Sequence, residues 1–199
     1  MGLGSFAILT GLILTAGLYI ITSLSFYFIL RKAGYRNTWM AFVPVLSTYK
    51  QLCFIYDYFK GHQVLDGTMS VVKYQDVRRN FVSSATVAYI ILLVVGAFLL
   101  IILLEFSGII IEDSTVDIIN NVTSAIVNAA IGFFILRSFI NKESGERLSS
   151  LVILVLIVLG IVTLGFSWIA VYFYFGLNNK HYYAFKLDDL HENEEAPGY

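Results

Sequence analysis

Polar side chains recur at three- and four-residue intervals inside one long apolar stretch of this chain. They are Asp117, Asn120, Asn121, Ser124 and Asn128. This spacing places most of them along one stripe of a helix. Amide groups in hydrocarbon need hydrogen-bond partners, so we expect the stripe to face other helices or water. Hydrogen bonding between packed helices is the simpler interpretation, and the wall of a polar path or substrate groove is the alternative.

Other groups with the chemistry of a catalytic site are sparse. Glu105, Glu112 and Asp117 could act as an acid or a base at the outer surface of a lipid- or glycan-handling enzyme. Solvated loop charges are the simpler interpretation, because nothing nearby in the sequence suggests a raised pKa. The three histidines cannot form one metal site, because His62 lies in a predicted cytoplasmic segment and His181 and His191 lie in a predicted outer one. We therefore expect no metal site, no cofactor and no enzymatic activity.

Four apolar stretches must position these groups. They cover residues 3–30, 81–104, 116–139 and 148–175. Each is long enough to cross roughly 30 Å of hydrocarbon at about 1.5 Å of rise per residue. The composition agrees with this interpretation, because 58% of the residues are hydrophobic and only 14% are charged. The sequence therefore predicts an all-α integral membrane protein with a bundle of four transmembrane helices.

Basic residues are distributed unevenly among the segments between these stretches. Of the 13 Lys and Arg residues, eight lie between the first and second stretches, three lie at the end of the third stretch or in the loop after it, and two lie after the fourth. Loops rich in Lys and Arg stay in the cytoplasm, so both termini are predicted to be extracytoplasmic in a multi-pass protein of the cell membrane. Topology explains the basic residues, and nucleic acid is not an expected partner. Residues 178–199 are expected to form an acidic, disordered tail outside the cell.

The segment 38–59 is apolar and aromatic, yet it contains Pro44, Lys50 and Asp57. A complete crossing here would turn the downstream basic loops outward, against the charge distribution. We therefore predict a re-entrant or interfacial segment between the first and second spans. Residues 60–80 are predicted to form a cytoplasmic loop that becomes helical from Ser70 onward.

Two of the predicted helices carry small residues four positions apart. Ala7, Gly11 and Thr15 do so in the first helix, and Ala125 and Ala129 in the third. Such positions let helix backbones approach closely in a bilayer. Packing inside the bundle is the simpler interpretation, and association of two copies is the alternative.

The residues after the first helix resemble an element of small bacterial multi-pass membrane proteins. The resemblance covers about residues 31–55 and is carried by Lys32, Ala33, Gly34, Trp39, Ala41 and Pro44. It implies a bacterial inner-membrane protein whose second segment does not span. Physically, the element suits a collar at the membrane surface, in which Lys32 and Arg36 meet anionic headgroups. Gly34 would turn the chain there, and Trp39 would anchor it in the interface.

These observations favour a non-enzymatic membrane protein that acts as an accessory subunit, a scaffold or an immunity-type partner of another membrane component. Its expected partners are the lipid bilayer and either another membrane protein or a second copy of itself. A small oligomeric transporter or channel that uses the polar stripe of the third helix is the alternative.

Overall fold

The computed structural model describes residues 3–107, 113–163 and 166–185, apart from the side chains of residues 3–7, 93, 97, 99–107, 113–121 and 124. Helices make up most of these residues. The elements in chain order are α1 (Leu3–Lys32), a 3₁₀ turn (Thr38–Phe42), α2 (Pro44–Lys60), α3 (His62–Leu65), α4 (Val71–Ser107), α5 (Asp113–Arg137), β1 (Phe139–Asn141), α6 (Ser150–Val162), α7 (Phe166–Leu177) and β2 (His181–Tyr183).

Two helices are long and apolar enough to cross a membrane among the residues that the structure describes. They are Ile8–Lys32 within α1 and Val71–Gly96 within α4. Shorter apolar helices occupy Ala125–Arg137, Ser150–Val162 and Phe166–Leu177. The predicted four-helix membrane bundle is thus confirmed in its helical character and in two helices of spanning length.

The end of α1 follows from one glycine. Gly34 has a φ of 83°, a left-handed conformation that glycine adopts without strain. The Tyr35 N–H donates to the Leu30 carbonyl at 3.1 Å, and the Gly34 N–H donates to the Arg31 carbonyl at 3.2 Å. These two bonds form a Schellman motif, which ends a helix and redirects the chain. The turn sends the Tyr35 side chain into the interior, where it is buried.

The chain then folds back along α1. The Tyr19 hydroxyl donates to the Phe42 carbonyl at 2.7 Å, and the Tyr27 and Phe42 rings lie 6.0 Å apart. Tyr19 lies about 20 Å before Lys32 along a helix that rises about 1.5 Å per residue. The 3₁₀ turn therefore reaches far back along α1. Pro44 is the first residue of α2, where its missing N–H costs no helical hydrogen bond, and α2 returns toward the end of α1.

The predicted fourth span, residues 148–175, is not one continuous helix. The segment forms two helices, α6 and α7, of 13 and 12 residues. α6 begins beside the end of α5, where the Arg137 guanidinium donates to the Leu148 carbonyl at 2.8 Å. α7 ends beside the end of α1, where the Lys32 ammonium donates to the Phe175 carbonyl at 2.6 Å. The two helices therefore leave from and return to the same end of the molecule.

A two-stranded sheet fixes the residues that follow α7. β1 and β2 pair antiparallel, with Phe139 opposite Tyr183, and the Lys142 N–H donates to the Lys180 carbonyl at 2.8 Å. Residues 178–185 therefore lie at the same end as the loop after α5. The two segments, which were predicted to face opposite sides of a membrane, therefore lie side by side here. Residues 186–199, which hold most of the predicted acidic tail, lie outside the described residues.

We call this end of the molecule the basic end. α1, α2, α5 and α7 end there, and α4 and α6 begin there. Its buried side chains form one core that includes Phe26, Phe54 and Phe139. The distant halves of α1 and α4 are open, since Leu12 is 63% exposed and Leu92 is 70% exposed. Packing among the described side chains is thus concentrated at the basic end.

Candidate functional site

Asp57 lies at the centre of the basic end and is 1% exposed. Tyr35 and Tyr183 donate their hydroxyls to its Oδ2 at 2.8 and 2.9 Å, and Tyr74 donates to Oδ1 at 2.8 Å. The Arg78 Nε lies 3.3 Å from Oδ1. A buried carboxylate needs such partners, because its removal from water costs several kcal/mol. We call these five residues the Asp57 cluster.

Four separate parts of the chain supply the Asp57 cluster. Asp57 lies in the last turn of α2, and Tyr35 follows the glycine turn after α1. Tyr74 and Arg78 are four residues apart in α4, on one face of the helix. Tyr183 ends β2. The cluster therefore ties the ends of α1 and α2 to the start of α4 and to the strand after α7.

Tyr35 and Tyr183 are held in their neutral, donating form. Burial raises the pKa of both phenols well above the ordinary value, and the negative charge of Asp57 raises each pKa further. A neutral phenol can donate to a carboxylate, whereas a phenolate would repel it. The Asp57 oxygens are consequently occupied by the three hydroxyls and the guanidinium. Asp57 is therefore better suited to a structural role than to that of a general base, because a general base needs a free lone pair.

A cavity of about 280 Å³ opens beside the Asp57 cluster. We call it the basic pocket, because four of its lining residues are cationic and none is acidic. It is lined by Tyr35, Arg36, Asn37, Tyr49, Lys50, Cys53, Gln75, Arg78 and Arg79. A pocket of this composition has the electrostatics of an anion site.

One aromatic ring holds two cations of the basic pocket. The Lys50 ammonium lies 4.6 Å from the centroid of the Tyr35 ring, and the Arg78 guanidinium lies 5.2 Å from the same centroid. Both distances are within the range of cation–π attraction. Lys50 is only 8% exposed, so its ammonium group is buried within the basic end and is not on the solvated surface.

A second cavity, of about 370 Å³, lies between α1, α2, α5 and α7. We call it the central cavity. Its wall is largely apolar and aromatic, with residues such as Phe26, Phe166 and Tyr172. Polar side chains interrupt this wall, namely Thr22, Ser23, Ser25, Ser47, Gln51 and Asn128. A mostly apolar cavity with a few polar groups is typical of a small-molecule site.

Two glycines make room for the Trp168 ring beside the central cavity. A Cβ added at Gly132 would lie 2.5 Å from a ring carbon, and one added at Gly160 would lie 2.3 Å from the ring nitrogen. Trp168 is 5% exposed, and its indole nitrogen has no hydrogen-bond partner among the described residues. The ring thereby packs α7 against both α5 and α6.

Of the residues in the predicted polar stripe, the structure describes the side chain of Asn128 alone. Asn128 is exposed and lines the central cavity. The side chains of Asp117, Asn120, Asn121 and Ser124 lie outside the described part of the chain.

The side chain of Glu105 is also outside that part, and Glu112 lies outside the described residues altogether.

The five predicted collar residues have different surroundings. Lys32 donates to carbonyls at the end of α7, rather than pointing away from the protein. Arg36 lines the basic pocket, and Trp39 is 55% exposed. Gly34 forms the turn after α1, and Pro44 begins α2.

The predicted small-residue faces also differ from one another. Ala125 and Ala129 in α5 are 2% and 3% exposed, so they are packed within the chain. Gly11 and Thr15 in α1 are exposed, and a Cβ added at Gly11 would meet nothing within 4 Å. The side chain of Ala7 is outside the described part. The first-helix face is therefore unoccupied by the described remainder of the chain.

The Asp57 cluster is not among the sites predicted from the sequence. The available signal is a pair of charges, Lys50 and Asp57, inside an apolar segment, since such groups are retained where they have partners. Tyr74 and Arg78 give a weaker signal through their helical spacing. Tyr183 comes from a three-residue strand that no local pattern predicts.

Comparison with protein-family models, with curated proteins and with solved structures found no match to this chain. Function therefore has to be inferred from the Asp57 cluster, the two cavities and the exposed helix faces.

Proposed function

We propose that the basic end lies at the cytoplasmic face of a cell membrane and that α1, α4 and α5 cross the bilayer. α2 with its preceding 3₁₀ turn, and α6 with α7, then enter the bilayer from the cytoplasmic side and return. In this arrangement all 13 Lys and Arg residues are cytoplasmic, including Lys180 and Lys186 near the C-terminus. A complete fourth crossing would move those two outside, so the positive-inside rule supports the proposed arrangement.

Contacts within the protein satisfy backbone groups in the two segments that would turn within the bilayer, the 3₁₀ turn before α2 and the start of α7. Irregular backbone is tolerated at membrane depth where protein covers its polar groups. Ala41 in the 3₁₀ turn is 2% exposed, and the Tyr19 hydroxyl binds the Phe42 carbonyl. At the start of α7, the Ser167 N–H donates to the Thr163 hydroxyl at 3.1 Å.

The function we propose is that of a non-enzymatic accessory subunit, scaffold or immunity-type partner of another membrane component. One observation carries this proposal: the described apolar side chains in the outer half of α1 are exposed. Leu9, Leu12, Ile13 and Leu14 are between 56% and 63% exposed. These side chains are left uncovered by the described remainder of the chain, so they are available to a helix of another membrane protein, which is the partner we propose.

Gly11 and Thr15 give this half of α1 a face suited to close helix packing. The Thr15 hydroxyl donates to the Gly11 carbonyl at 2.9 Å, so its hydrogen-bonding capacity is used within the helix. Small residues four positions apart let a second backbone approach, and close packing is what drives helix association in lipid. The packed core of the basic end would hold this helix in place.

Capture of the partner tests the proposal. Wild-type protein, extracted from its native membrane in mild detergent after cross-linking, is expected to carry another membrane protein that mass spectrometry identifies. Gly11→Leu should reduce its recovery about tenfold, equivalent to about 1.4 kcal/mol. Ala16→Leu is the matched control, because Ala16 is also exposed and lies about 140° around the helix from Gly11. Recovery of the wild type as a lone monomer under all conditions would contradict the proposal, as would an equal loss in both variants.

A small oligomeric transporter or channel is the second candidate, and the position of Asn128 favours it. Asn128 lies in the wall of the central cavity together with Ser25 and Gln51. Polar groups around a cavity in the bilayer are typical of a substrate path. Flux into liposomes should fall about tenfold in Asn128→Leu and stay near wild type in Ile126→Leu, an exposed neighbour. Unchanged flux in both Asn128→Leu and Asn121→Leu would remove the stripe from the path.

A further inference from the structure

The basic pocket concentrates more positive than negative charge. Its wall contains four cationic side chains, Arg36, Lys50, Arg78 and Arg79. Asp57, behind the wall, contributes one negative charge and contacts Arg78. Among the described residues, four cationic side chains and no acidic side chain line this small cavity. Like charges in a partly desolvated site repel one another more strongly than in water, so a bound anion would stabilise the arrangement.

Two of the four cations, Lys50 and Arg78, are held in place rather than dispersed in solvent. Lys50 is 8% exposed, and the Arg78 side chain is 16% exposed. The Tyr35 ring lies within 5.2 Å of both charges, and its hydroxyl is fixed on Asp57. Two charged groups fixed on one ring form a preorganised site, which loses little side-chain entropy on binding a ligand.

We infer that the basic pocket binds a phosphate group, carried either by the headgroup of an anionic phospholipid or by a small soluble phosphate. Arginine guanidinium groups match phosphate oxygens through two parallel hydrogen bonds, and the lysine adds a point charge. Asn37, Tyr49 and Gln75 add neutral polar side chains to the wall. The cavity of about 280 Å³ is slightly below the range of pockets for drug-sized ligands, which favours a headgroup-sized ligand.

This inference goes beyond the proposed function and does not depend on it. Binding would be measured on the purified full-length chain, whether or not a protein partner or a transport activity exists. Failure of partner capture would leave the phosphate site intact, and failure of phosphate binding would leave partner capture intact.

Thermal unfolding in a neutral detergent, followed with three probes, identifies the ligand. The probes are inorganic phosphate, short-chain phosphatidylglycerol and short-chain phosphatidylcholine at matched concentrations. A ligand that binds only the folded state raises the melting temperature as its concentration rises. We expect a rise with one or both anionic probes and a much smaller rise with the zwitterionic lipid. A rise with phosphatidylglycerol alone identifies a lipid headgroup, and a rise with inorganic phosphate identifies a soluble source.

Two double variants with the same change of net charge separate the pocket from the general surface. Arg36→Gln with Arg79→Gln removes two exposed cations of the basic pocket, whereas Arg31→Gln with Lys73→Gln removes two exposed cations outside it. The pocket variant is expected to raise the Kd for the effective probe at least about tenfold, and the control at most about twofold. Equal Kd changes in the two variants would overturn the inference, as would stabilisation by neither anionic probe.

Discussion

The basic end and the opposite half of the molecule are built on different principles. At the basic end, helix termini from most of the chain meet around the Asp57 cluster and share one aromatic core. In the opposite half, the described apolar side chains of α1 and α4 are largely exposed. Lipid removes the incentive for apolar surfaces to associate, so a membrane protein packs where polar bonds and close-fitting shapes hold it. In this chain the polar bonds and the close packing are concentrated at the basic end, and the opposite end is available to lipid or a partner.

The largest expected effect comes from breaking the Asp57 cluster. Asp57→Asn keeps the side-chain size but removes the charge that balances Arg78. Removing one partner of a buried ion pair costs about 3–5 kcal/mol, so the free energy of unfolding should fall by about that amount. Reversible denaturation in detergent measures it.

Asp66→Asn is the matched control for this change, because Asp66 is exposed in the loop before α4. Its effect should stay within about 0.5 kcal/mol. Equal stabilities of the two variants would show that the cluster does not hold the basic end together.

Glycine-to-alanine substitutions compare the two halves directly. At Gly132 and Gly160 an added Cβ would overlap the Trp168 ring, and overpacking of this kind costs about 1–3 kcal/mol. At Gly11 and Gly17 an added Cβ would meet nothing within 4 Å. There the substitution should stabilise the helix by up to about 1 kcal/mol. Melting temperatures of the four variants check this contrast, and a uniform response would contradict the difference in packing.

A smaller, pH-dependent effect is expected at His181, which is buried against the Phe175 ring at 4.8 Å. Burial lowers the pKa of His181, and the positive charges of Lys32 and Lys180 lower it further. The unfolded chain therefore takes up a proton at higher pH than the folded chain does. The stability contributed by neutral His181 is present above the unfolded pKa of about 6.5 and is lost as the pH falls below it.

Melting curves between about pH 8 and pH 5.5 test this expectation. The wild type should lose stability toward the acid end more steeply than His181→Gln does. Parallel pH profiles in the two proteins would show that protonation of this side chain does not oppose folding.

Sequence reasoning could predict the features that depend on local pattern. Length and hydropathy predict the helical class and the two helices of spanning length, and Gly34 marks the end of α1. The reversal within residues 148–175 could not be predicted, because apolar residues continue through it and hydropathy does not distinguish a crossing from a hairpin. The complete Asp57 cluster could not be predicted either, because Tyr183 lies 126 residues from Asp57 along the chain. Only the charges of Lys50 and Asp57 inside an apolar segment give a sequence signal for it.

The side of the membrane on which the C-terminus lies is the most direct test of the proposed arrangement. In that arrangement the start of α6 and the end of α7 lie on the same face of the membrane. A dual reporter, with one half active only in the cytosol and the other only outside, would be fused after Tyr199 in intact cells. A second fusion within the loop after α5, at Lys142, provides the reference. We predict cytosolic activity from both fusions. Cytosolic activity at Lys142 with extracytoplasmic activity at Tyr199 would contradict the account, because residues 148–175 would then have to cross the bilayer.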